Sequence, residues 1–77
     1  MMISKNDKII LNINIPEHHL LKGDLGEVIF VHNEGEAFDI EFRNIAGEII
    51  IVIKLLPAQF QKINIIKIPQ IKKFNLN

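Results

Sequence analysis

The sequence contains no cysteine, tryptophan, tyrosine or threonine, and its single serine is Ser4. Each absence closes a class of chemistry. Without cysteine there is no disulfide staple, thiolate metal site or cysteine nucleophile, and the chain fits a reducing compartment; a cytoplasmic location is expected. With no threonine and one serine close to the start, no hydroxyl nucleophile is placed for covalent catalysis. Tyrosine and tryptophan build the grooves that stack on proline-rich peptides, so that mode of recognition is excluded too. No glycine-rich phosphate loop followed by lysine and a hydroxyl residue occurs. The longest apolar run, Ile49 to Ile53, is closed by Glu48 and Lys54, far short of the ~20 residues of a membrane helix. Lys5, Asp7 and Lys8 precede the first apolar run, so no basic start leads into a hydrophobic signal segment.

What the chain has in abundance is isoleucine, seventeen against seven leucines in 77 residues. β-Branched side chains lose χ1 freedom in helices and pack well on a pleated surface, so the fold class is expected to be all-β, in one small domain. Period-two alternation marks a first strand over Ile9, Leu11, Ile13 and Ile15, ended by Pro16. Pro16 to His19 reads as a turn or a single helical turn. Lys22-Gly23-Asp24 then makes a tight corner, in which Gly23 and Gly26 supply backbone freedom and the Asp24 carboxylate accepts from nearby amides. A second strand follows over Glu27 to His32, and Asn33 to Glu36 forms a hairpin loop. In the third strand Phe38, Ile40 and Phe42 face the core while Asp39 and Glu41 face water. Ile49 to Leu55 is apolar on both faces, which reads as a central strand or one covered on its second face. Pro57 ends it, a 3₁₀ turn fits Leu56 to Phe60, and a short fifth strand fits Gln61 to Ile66.

Two stretches carry a resemblance: Ile15-Pro16-Glu17-His18-His19-Leu20-Leu21-Lys22-Gly23-Asp24-Leu25-Gly26-Glu27-Val28-Ile29, and Gly35-Glu36-Ala37-Phe38-Asp39-Ile40-Glu41-Phe42. The Gly-Asp-x-Gly corner is common to many small barrels, but its spacing from the Pro-Glu-His upstream and the Ala-Phe-Asp-Ile-Glu-Phe downstream is more specific. Over Ile9 to Ile63 the chain resembles a small bacterial family, domain of unknown function 4926. The resemblance implies a five-stranded SH3-like barrel and brings no activity or catalytic residues with it. Phe30 departs from the family pattern, which is usually polar there, and Asn64 to Asn77 runs past its end. The expected organisation is a flexible N-terminal segment over residues 1–8, the barrel over 9–63 and an isoleucine- and lysine-rich extension over 64–77.

Charge divides the chain where its net charge of zero suggests none. All nine acidic residues lie at or before Glu48, against four basic ones, leaving −5; from Ile49 onward there are five lysines and no acid. A body and an extension of opposite sign attract one another, within one chain or between two. Ile65, Ile68 and Ile71 recur at every third position, while Pro69 interrupts any regular element. The extension is therefore expected to dock, extended, on an acidic surface formed by Asp39, Glu41 or Glu48, preferably across a homodimer. Glu17, His18 and His19 do not converge as zinc ligands must, and Asp39 and Glu41 on a solvated face lack the desolvation general acid catalysis needs. No catalytic, cofactor-binding or metal-ligating residue is expected. The leading expectation is a non-catalytic protein-interaction module, an inhibitor or antitoxin-like partner of a basic protein, using Phe30, Asp39, Glu41, Glu48, Ile65, Ile68 and Ile71. The alternatives are an accessory subunit of an enzyme, or a weak nucleic-acid-binding barrel that uses the C-terminal lysines against the charge of its own body.

Overall fold

The computed structural model describes residues 2–64. Five strands, β1 (Lys8–Leu11), β2 (Leu25–His32), β3 (Ala37–Arg43), β4 (Ile49–Leu55) and β5 (Phe60–Lys62), form one sheet in the order β4-β3-β2-β1-β5. Every pairing is antiparallel. The all-β expectation holds, and the only helical pieces among the described residues are 3₁₀ turns at Pro16–His18 and Pro57–Gln59. A meander of four strands is followed by the return of β5 to β1, and β4 and β5 do not pair among the described residues. The sheet is thus open, an arrangement compatible with the barrel outline that the family resemblance implies.

The inner face is built by alternation. Phe38, Ile40 and Phe42 of β3 are buried, and they meet Ile9 and Leu11 of β1, Val28 of β2, Leu55 of β4 and Phe60 of β5 in one cluster. The rings of Phe38 and Phe60 meet edge to face with centroids 5.4 Å apart. Full burial of side chains of this size contributes about 1.5–3 kcal/mol each before conformational entropy is charged against it. No polar or charged residue is buried among the described residues, so apolar packing carries the core.

Several expectations need correction. β1 stops at Leu11; Ile15 reaches the core through an isolated bridge to Leu20, and Ile13 is exposed. β5 covers Phe60–Lys62, shorter than the expected Gln61 to Ile66. The larger difference is at β4, which is not central and, among the described residues, is not covered on its outer face. It is an edge strand, with Ile49, Ile50 and Val52 exposed at 55%, 60% and 44%. Only Ile51, Ile53 and Leu55 turn inward, because they lie opposite Phe42, Ile40 and Phe38. The expected docking of Ile65, Ile68 and Ile71 lies outside the described residues.

The two glycines of the corner act differently. Gly23 has φ of +97° with open space around it, so its role is conformational. Its N–H donates to the Leu11 carbonyl at 2.9 Å, and the Asp24 carboxylate accepts from the Leu21 N–H at 2.9 Å, as expected for a turn-closing aspartate. Gly26 supplies no such freedom. It permits close approach: a Cβ there would lie 2.6 Å from Ile40 Cγ2 and 3.1 Å from the Glu41 carbonyl oxygen. The residues before β1 make specific contacts as well. Ile3 packs against the core, the Asn6 N–H donates to the Val28 carbonyl at 2.7 Å, and Lys62 Nζ lies 3.3 Å from Asp7 Oδ2.

Candidate functional site

The outer face of β2 and β3 gathers most of the candidate residues that are described. Its composition depends on a bulge. Val28 lies opposite Ile40 but Phe30 lies opposite Asp39, so Ile29 is an extra residue on β2. Uninterrupted alternation from Val28 would turn Phe30 inward. The bulge turns it outward instead, 53% exposed beside Asp39, while Val31 packs against the core.

Phe30 does not stand alone. Its ring meets His32 edge-on with centroids 4.7 Å apart, and His32 Nε2 shares a hydrogen bond of 2.8 Å with Asp39 Oδ1. This Phe-His-Asp arrangement follows from the hairpin: His32 and Asp39 flank the Asn33-to-Glu36 turn, where Asn33, Glu34 and Gly35 all take positive φ. Nothing in the sequence pattern itself joins His32 to Asp39. The signal available was their position on either side of a short loop, but the bulge was needed to put them on one face.

A second polar row crosses the sheet through opposed residues: Lys8 to Glu27, Glu27 to Glu41, Glu41 to Val52. Lys8 Nζ pairs with Glu27, and Arg43 donates to Glu41 Oε1 through Nε at 3.0 Å. The expected wet acidic face is therefore partly covered. Only 12% of the Glu41 side chain is exposed, because the Arg43 guanidinium lies against it. Two adjacent carboxylates, Glu27 and Glu41, would repel one another, and each has acquired a cation. Around them Lys8, Leu25, Gly26, Glu27, Glu41 and Arg43 line a depression of about 230 Å³.

Glu48 is placed elsewhere. It closes the β3–β4 turn, where its N–H donates to Asn44 Oδ1 at 2.9 Å and its carboxylate accepts from Asn44 Nδ2 at 2.8 Å. Phe30, Asp39 and Glu41 thus share one face while Glu48 has a local turn role. Asp7, at the β1–β5 side, is held below the ordinary aspartate pKa, chiefly by the Ser4 N–H donating to it at 2.8 Å and then by Lys62, against an opposing push from partial burial. No group of three metal-ligating side chains converges among the described residues. His18 and His19 are exposed.

Among the described residues no helix is long and apolar enough to cross a membrane. Comparison with curated proteins and with solved structures gave no match. Residues 5–62, from just before β1 to the last residue of β5, match the family described as "Domain of unknown function (DUF4926)", and the chain belongs to that family.

Proposed function

We propose that this chain is a non-catalytic protein-interaction module whose outer sheet face receives a protein partner. The observation that carries the reading is the outward turn of Phe30 at the β2 bulge, next to Asp39 and on the strand that also exposes Leu25. An exposed aromatic ring held by neighbouring groups is the kind of anchor that dominates protein interfaces, since it offers large contact area at little entropic cost. The neighbouring carboxylates are already matched with Lys8, His32 and Arg43, so recognition rests mainly on apolar contact with a polar rim.

Residual charge gives the partner a sign. Residues 1–48, which hold β2 and β3, carry four basic and nine acidic side chains, a net −5, and Glu34 and Glu36 lie in the turn that joins these strands. Such a surface steers a basic protein toward the face. The reading is of an inhibitor or antitoxin-like companion of that protein. Affinity capture from the native cell with the wild-type chain and with Leu25→Ala/Phe30→Ala in parallel tests it. The expected result is a basic protein retained by the wild type and lost with the double variant, whose own melting stays close to wild type. Mixing the purified proteins then separates two roles: loss of the partner's activity fits an inhibitor, gain an accessory subunit. Equal capture by both chains would remove the face from consideration.

A further inference from the structure

A second depression lies at the end of the sheet that carries the β2–β3 turn. It has a volume of about 440 Å³ and is lined by Met2, Ile3, Glu34, Gly35, Phe38 and Pro57. Three separate parts of the chain build it: the residues before β1, the β2–β3 turn with the start of β3, and the turn before β5. Its walls are mostly apolar, and Met2 is 80% exposed on one of them. Glu34 is the only charged residue among those that line it, Glu36 lies in the same turn, and among the described residues no cation lines the groove. We infer that this groove receives the chain's own residues 65–71, whose isoleucines enter it while Lys67 meets Glu34.

The point at which the described chain ends supports this occupant. β5 runs antiparallel to β1 with Lys62 opposite Ile9, and the Ile63 N–H donates to the Lys8 carbonyl at 3.0 Å. The chain therefore leaves β5 past the start of β1, on the side from which residues 2–7 enter. Lys8 and Met2 are six residues apart, which puts the groove within roughly 22 Å of that point, because an extended chain covers at most about 3.6 Å per residue. The turn closed by the Asp7 N–H on the Ser4 carbonyl at 3.1 Å shortens the distance further. Residues 64–71 can span up to ~29 Å, so the reach suffices. Composition fits as well: Ile65, Ile66, Ile68 and Ile71 are apolar, Lys67 is the one charge among them, and no acid follows Glu48. A tether this short holds the segment at high effective concentration beside the groove, which favours it over the same segment of a second copy. The acidic residues expected to receive it are poorer seats, since Asp39 and Glu41 already hold His32 and Arg43, and Glu48 is tied to Asn44. The groove shares no residue with Leu25, Phe30 and Asp39, so the inference goes beyond the partner face described above and does not rest on it.

The absence of cysteine allows a specific test in the full chain. Asn75→Cys carries a nitroxide at a neutral position just past the segment, and the amide signals of the isotope-labelled protein are compared with the nitroxide oxidised and reduced. The Ile3, Gly35 and Phe38 signals should lose most of their intensity. Adding Ile65→Ser/Ile66→Ser/Ile68→Ser should restore it, with β1 and β2 chemical shifts unchanged. Equal loss with and without the three serines reflects tethering alone and overturns the inference. So does loss centred on another surface, the face at Asp39 and Glu41 being the specific rival. In a mixture of nitroxide-bearing chains without isotope and isotope-labelled chains without nitroxide, the groove signals should keep their intensity. Loss of intensity there would make the occupant a second copy's segment and overturn the inference too.

Discussion

β3 and β4 are neighbours of equal length, seven residues each, and their sequences differ in a way that invites the wrong ranking. β3 alternates, with Phe38, Ile40 and Phe42 against Asp39 and Glu41; β4 is almost wholly apolar. Hydrophobicity alone makes β4 the more deeply buried strand. The structure reverses this: β3 lies between β2 and β4 and buries every apolar side chain, whereas β4 lies at the edge and exposes Ile49, Ile50 and Val52. Alternation reports which face of a strand is covered by its own chain. An almost wholly apolar run therefore reports extended structure but not depth: among the described residues the outward Ile49 and Val52 have no layer over them.

The difference is sharpened first by truncating one residue in each strand. Ile40→Ala removes a fully buried side chain and should cost about 2–5 kcal/mol, enough to unfold much of the population at 25 °C. Val52→Ala, measured by urea denaturation, should stay within about 0.5 kcal/mol of wild type. Comparable losses at the two positions would break the distinction.

Gly26→Ala sharpens the same comparison from the other side of the β3 face. The added methyl meets Ile40, Phe42 and the Glu41 backbone, so overpacking should cost about 1–3 kcal/mol. Gly23→Ala meets no neighbour, and its cost is the backbone strain of positive φ, about 1–2 kcal/mol. The two can be told apart by adding space: Ile40→Leu, which has no branch at Cβ and so lacks the Cγ2 methyl that meets the new group, should relieve part of the Gly26→Ala penalty and none of the Gly23→Ala penalty in a double-mutant cycle.

On the outer face Asp39→Asn should cost no more than about 1 kcal/mol, because the His32 partner is only half-buried. The smallest effect belongs to Asp7, away from both strands. Its pKa is lowered in the folded chain, so its contribution is fully present above the unfolded value of about 3.9 and is lost as pH falls through the lower folded value. The stability difference between wild type and Asp7→Asn, followed by chemical denaturation, should be constant near neutrality and close only below about pH 4.

Much of the fold was legible, and the reasons separate cleanly. The β3 register, the hairpin at Asn33 to Glu36, the two 3₁₀ turns and the conformational role of Gly23 follow from local patterns, because period two, proline and positive φ are properties of a few consecutive residues. The edge position of β4 is not local. Which strand neighbours which depends on the whole meander, and no pattern within Ile49–Leu55 encodes it. Gly26 was identified for the wrong property, since its close approach to Ile40 exists only once β2 and β3 are paired. The site was legible in part. Phe30 stood out as an aromatic in a place the family pattern makes polar, but its neighbourhood with His32 and Asp39 required the bulge at Ile29. Glu48, chosen for charge alone, is bound into its own turn by Asn44.

Hydrogen exchange of the full chain, read amide by amide in β3 and β4, tests the contrast most directly. The β3 amides bond to β2 or β4, so they should be protected to near the global stability. In β4, the amides directed away from β3 should exchange rapidly, while those bonded to β3 should be protected. Protection of the outward β4 amides equal to that of β3 would contradict the reading of β4 as an edge strand.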